Sequence, residues 1–157
     1  LVVLGADPDA RDDQQDSDYI FGAVSQPCLA SIPEGLRAVY LTVGELQFGK
    51  EDFMDCSSRG ALNIYEAKFT YLYNNGMKPE NKKWMEDNGY VHESRVTFSD
   101  RFTAIKSGTT RTGNSLKAPL DSIHRDGLIP KVMLPKIDGT FDEYHDPSKI
   151  TPQMTAL

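Results

Sequence analysis

The chain has 157 residues, 39% of them hydrophobic, which suffices for one sizeable core or for half of a two-lobed one, and argues against two domains of its own. Its formal net charge is −6 and its lysines and arginines form no stripe, so nothing suggests a nucleic-acid footprint. Cys28 and Cys56 are too few for a disulfide framework and read better as thiols than as a bridge. No stretch is long enough to span a bilayer, and the apolar start at Leu1 is too short for a signal-peptide core.

Residues 1–18 carry Asp7, Asp9, Asp12, Asp13, Asp16 and Asp18, the composition of a solvated, flexible acidic arm. The rest, 19–157, reads as a single α+β lobe, mainly helical. Residues 27–33 are bracketed by Pro27 and Pro33, which blocks helix and predicts extended chain. Residues 39–43, β-branched and aromatic, predict a strand closed by Gly44. Gln47 then falls in a loop with Gly49.

Beyond that loop lies the stretch that organises the chain. Leu62, Tyr65, Phe69 and Leu72 recur at steps of three and four, flanked by Ala61 and Tyr73, so one face of a helix is apolar. Asp55, Ser57 and Ser58 have N-cap chemistry, which sets the first turn within about a residue of Cys56. Asn74, Asn75 and Gly76 end it. A sulfur at the positive end of a buried helix faces unpaired N–H groups and the helix dipole, both of which favour the thiolate. Gln47, nine residues upstream, supplies a primary amide able to turn back beside the Cys56 N–H. Two converging donors form an oxyanion hole of the kind acyl-transfer enzymes use. The competing reading is that Cys56 is a small, buried apolar residue, and Asp55 beside it opposes a second negative charge unless its side chain caps the helix.

Pro79 opens a second helix over 80–88, stopped by Gly89, with Trp84 and Met85 as its apolar edge. Residues 90–98 predict a short strand. Ser99 and Asp100 cap a third helix with Phe102 and Ile105 inward, ended by Ser107 and Gly108. Residues 109–115 form a polar loop without the lysine or the glycine spacing of a P-loop. A fourth helix starts at Ser115, buries Leu116, Leu120 and Ile123, and ends at Gly127. Proline-bracketed extended chain follows through Pro130 and Pro135, and Thr151 with Pro152 announces a further helix.

A glutamine ahead of a cysteine that opens a long central helix resembles the papain-like cysteine peptidases. Residues 99–135, SDRFTAIKSGTTRTGNSLKAPLDSIHRDGLIPKVMLP, are similar to that family in the order of capped helix, glycine-containing loop, helix ending at glycine and extended run closing in proline. The resemblance spans 44–135 and implies the helical lobe of a papain-like fold. It departs in the longer gap from Gln47 to Cys56, in Met54 and Asp55 where the family has glycine and serine, in Ser57 where it has tryptophan, and in lacking the loop's cysteines and double glycine.

The resemblance implies amide hydrolysis, with Cys56 as the nucleophile and Gln47 with the Cys56 N–H holding the oxyanion. It also implies a histidine and an asparagine from a second, β-rich lobe, and hence a chain that continues past Leu157. Its partner would be a peptide or protein substrate, with no cofactor, metal, nucleic acid or membrane. An alternative is that the lobe is a catalytically inert structural or binding module of a larger assembly. The chain also resembles papain-like sequences of bacteriophage structural proteins, a resemblance under which the module would be a virion component; the scarcity of cysteines suits that or a reducing compartment. A third reading is a non-peptidase acyl-transfer enzyme, an amidase or a transglutaminase-like protein. Of the histidines, His124 reads as structural near a helix C-terminus and His92 as solvated. His145, amid Asp142, Glu143 and Asp146, is the best base within the chain, while its cluster is weak as a metal site.

Overall fold

The computed structural model describes residues 49–155. The acidic arm, the strand at 39–43, Cys28 and Gln47 all lie outside the described residues. The described part is α+β: mainly helical, with one small two-stranded sheet.

Helix α1, Cys56–Asn75, is the element on which the others pack: β2, α3 and α4, defined below, all touch it. Its buried stripe begins at Ala61 and Leu62, continues through half-buried Tyr65 and Phe69, and ends at Tyr73. Leu72, expected on that face, is 40% exposed. The reason is the pitch: steps of three, four and four from Leu62 keep the 3.6-residue period and arrive at Tyr73, one position further round. At the C-terminus the N–H groups of Gly76 and Met77 both donate to the Leu72 carbonyl, at 3.0 and 2.8 Å. Asn74 and Asn75 also donate their side-chain amides to carbonyls one turn back.

Helix α2, Pro79–Asp87, starts on its proline as expected. Met85 is its buried contact, whereas Trp84 is 52% exposed and lies across the Tyr90 ring with centroids 5.5 Å apart. Residues 90–98 are not one strand. They fold back as a hairpin of β1, Val91–His92, and β2, Arg95–Val96, with Val91 opposite Val96 and His92 opposite Arg95. The turn residues Glu93 and Ser94 have φ of 49° and 63°, the left-handed pair that a two-residue hairpin turn requires. Polar groups of α1 fasten this hairpin. The Val96 N–H donates to the Thr70 hydroxyl at 3.0 Å, and the Phe98 N–H to the Glu66 carboxylate at 2.8 Å.

Helix α3, Asp100–Lys106, is capped by Ser99, whose hydroxyl accepts from the Phe102 N–H at 3.1 Å and donates to the Leu134 carbonyl at 2.6 Å. One side chain thus starts a helix and pins the segment after Pro130, which does not run extended as expected: residues 131–133 form a turn in which the Met133 N–H donates to the Pro130 carbonyl at 3.0 Å. Helix α4, Lys117–Asp126, starts two residues later than Ser115. Ser115 still supplies first-turn chemistry by accepting from the Ala118 N–H at 3.0 Å. Leu116 therefore precedes the helix and is 62% exposed, not part of the buried face. Gly127, at φ 78°, closes α4 in a conformation that favours glycine.

The last part of the chain wraps back. Helix α5, Phe141–Tyr144, has a capping box in which Thr140 accepts from the Glu143 N–H and Glu143 accepts from the Thr140 N–H. A 3-10 turn, Pro147–Lys149, leads to α6, Pro152–Thr155, where Thr151 and Pro152 announced a helix. Met154 of α6 packs with Phe102, Ile129 and Leu134 in a second apolar cluster. The first and larger cluster lies between α1, the hairpin and α4. A third, of Phe53, Ala104 and Tyr144, lies under the start of α1.

Candidate functional site

Cys56 is the first residue of α1, where the pattern of N-cap residues put it, and it is half-buried and not in a disulfide. The N–H groups of Ser57 and of Cys56 itself pull its thiol pKa down, as donors at a helix start should. They are outweighed. Burial, then the charges of Asp55 and Asp52, push the thiol above its ordinary value, opposite to the direction expected from helix position alone. Gln47, the other member of the expected oxyanion hole, lies outside the described residues.

Asp55 behaves differently from the capping residue it resembles. Its side chain makes no cap hydrogen bond. Instead this fully buried carboxylate accepts from Arg59 Nε at 2.9 Å and from the Tyr144 hydroxyl at 2.7 Å. The Arg59 guanidinium lies one helical turn along and reaches toward Asp100 Oδ2, 3.7 Å away at the start of α3. Burial pushes the Arg59 pKa down, but its hydrogen bond to Asp55 and the nearby carboxylates outweigh that and hold it firmly charged. Burial together with Asp55 and Asp100 pushes the Tyr144 phenol well above its usual range, so it stays a proton donor. A buried charge survives only when paired and hydrogen-bonded, and the Asp55 carboxylate meets that condition through Arg59 Nε and the Tyr144 hydroxyl.

The network is framed from below. Tyr144 stacks flat on Phe53, with centroids 4.0 Å apart and an interplanar angle of 6°. Arg101 donates to the carbonyls of Glu143 and Tyr144 at 2.6 and 2.7 Å. Residues 49–53 are held to the same segment: the Lys50 N–H donates to the Gly139 carbonyl at 2.9 Å, and the Phe141 N–H to Glu51 at 2.8 Å. Residues 50–55, which lead into Cys56, are thus held by residues 139–144. The hydroxyls of Ser57 and Ser58, in the first turn, are buried and have no partner.

The structure places His92 and His124 on the surface, away from burial. His145 follows α5, mostly covered, stacked on Phe141 with centroids 4.0 Å apart and edge-on to Tyr144. Its Nδ1 lies 3.0 Å from the Phe141 carbonyl. A carbonyl only accepts, so Nδ1 carries the proton, while Nε2 is buried and unpartnered. Burial lowers the His145 pKa, so within the described residues the imidazole is held neutral and engaged with its own helix. Among those residues no three of histidine, cysteine, aspartate and glutamate come together to hold a metal ion, and no helix is long and apolar enough to cross a membrane.

Sequence reading named Cys56, gave Asp100 only as a cap of the third helix, and passed over Arg59, Arg101 and Tyr144. The signal present was the four-residue spacing of Asp55 and Arg59 across the helix start, which puts opposite charges on one face. Comparison with family models, curated proteins and solved structures finds no match.

Proposed function

We propose that this chain is the helical lobe of a papain-like thiol hydrolase, in which Cys56 attacks an amide carbonyl. The observation that carries the reading is the position of Cys56 as the first residue of the long helix on which β2, α3 and α4 pack, with backbone donors acting on its sulfur. Asp55 and Asp52, whose charges act on that sulfur, are both negative. Chemistry therefore requires a cation to be brought to it, and the imidazolium of a β-rich lobe is the group the resemblance implies. Gln47 would complete the oxyanion hole.

A second reading has its own observation. Asp55 is committed to a buried network and raises the thiol it adjoins. That favours an inert module, retained for packing inside a larger assembly such as a virion.

Alkylation of the polypeptide as its gene encodes it separates the two. In the enzyme, a thiol-directed reagent modifies Cys56 with a pH profile below that of ordinary cysteine, and C56S and Q47A both abolish cleavage of an unfolded protein substrate. A profile at or above the ordinary value, with Cys28 modified as fast or faster, sinks the enzymatic reading and leaves the module.

A further inference from the structure

His145 is the feature that neither reading uses. Its ring is fixed on three sides by Phe141, Tyr144 and the Phe141 carbonyl, and its Nε2 lone pair is buried with nothing to meet. A neutral imidazole tolerates that arrangement. A protonated one does not, because Nε2 would become a buried N–H donor without an acceptor.

The segment that carries His145 is also the clasp over the start of α1. Tyr144, its immediate neighbour, holds Asp55, and Arg101 holds the carbonyls of Glu143 and Tyr144. We propose that His145 is an acid-sensitive latch: protonation of its buried Nε2 requires residues 139–146 to lift from the start of α1, uncovering Asp55 and the approach to Cys56.

The surrounding charges bear on the window. Asp55 at the start of α1 and Asp142 on α5 favour the imidazolium, Arg101 on α3 opposes it, and burial, the largest influence, opposes it as well. Glu143 and Asp146, in the same segment, are held below the usual carboxylate range by Thr140 and Ser148, so they stay ionised while the imidazole titrates. A histidine whose folded pKa is depressed binds its proton preferentially in the open state. The closed clasp is therefore at full strength above the ordinary imidazole value near 6.5, weakens as pH falls below it, and levels off below the folded value.

Native-state hydrogen exchange of the full chain, corrected for intrinsic rates, tests this at the Tyr144 and His145 amides, which donate to the Thr140 and Phe141 carbonyls. Between pH 7.5 and 5.5 the opening constant should rise, by up to about tenfold per pH unit. H145Q should flatten that rise, whereas H92Q and H124Q should keep it. An unchanged rise in H145Q, or no rise in the wild type, overturns the proposal. Should H145Q not fold, a wild-type NMR titration of the ring decides: an imidazole that charges at or above its ordinary value while these amides stay protected overturns it equally.

Discussion

The Tyr144 hydroxyl donates to Asp55 Oδ2 at 2.7 Å across 89 residues of chain, and both side chains are fully buried. This bond joins the last third of the described chain to the N-cap of α1, one residue before Cys56. Y144F deletes the donor and keeps the stack on Phe53. Bonds to a buried charge are worth about 1.5–3 kcal/mol, so urea unfolding should show a loss of about 2 kcal/mol. Y144A also removes the ring and should cost about 3–5 kcal/mol. Equal stability of Y144F and wild type would mean the bond contributes nothing net.

Removing the charge of Asp55 should act on stability and thiol in opposite senses. D55N takes away a group that pushes Cys56 up, so the pH midpoint of Cys56 alkylation should fall below that of the wild type. D52N should move it the same way by less. The same D55N change leaves Arg59 without its closest carboxylate and should cost about 3–5 kcal/mol, as breaking a buried pair does. An unmoved midpoint in D55N would show that desolvation alone governs the thiol.

Helix positions were legible because they rest on local chemistry. Pro79, Ser99 and Gly127 mark their boundaries through backbone constraints and caps that need no distant partner. Leu72 and Leu116 misled because an apolar residue next to a stripe looks like part of it, and only the pitch of α1 and the start of α4 decide. The hairpin at 91–96 was hidden because its turn is Glu93-Ser94, without the glycine or asparagine that usually signals positive φ. The buried network was hidden for a different reason: Asp100, Arg101 and Tyr144 have ordinary surface composition, and the partners that make burial tolerable come from separate parts of the chain.

The packed face of α1 can be read by paired truncations. Leu62 is fully buried in the first apolar cluster, while Ile64, two residues on, is 50% exposed. L62A should cost about 2–5 kcal/mol through lost burial and the cavity left behind. I64A should stay within about 0.5 kcal/mol of wild type. Comparable losses at both sites, measured by the same denaturant midpoint, would place Ile64 under cover as well.

Ser99 does two jobs, and its substitutions should separate them. S99A removes the cap on α3 and the donor to the Leu134 carbonyl, leaving that buried acceptor unsatisfied, for a combined loss of about 2–4 kcal/mol. S99D restores a cap acceptor but not the donor, and it adds a carboxylate near the buried Asp100. It should therefore recover little. Thermal unfolding that ranks S99D beside wild type would mean that the cap alone carries the effect.

Gly49 and Gly139 set how closely the clasp can approach. A Cβ on Gly49 would lie 2.5 Å from Phe53 Cζ and 2.8 Å from the Gly139 carbonyl oxygen, and the second of these is backbone that cannot swing aside. Neither the ring, flat against Tyr144, nor the Lys50 bond to Gly139 has slack to relieve the overlap. G49A should therefore spread the clasp and cost about 1–3 kcal/mol, the range for overpacking a tight site. G60A, with open space around its Cβ and a helical position, should gain up to about 1 kcal/mol instead. The decisive measurement is exchange at the Phe141 amide, which donates to Glu51 across this contact. Its protection should drop in G49A and hold in G60A, and protection kept in G49A would show that the two segments are not in contact at this point.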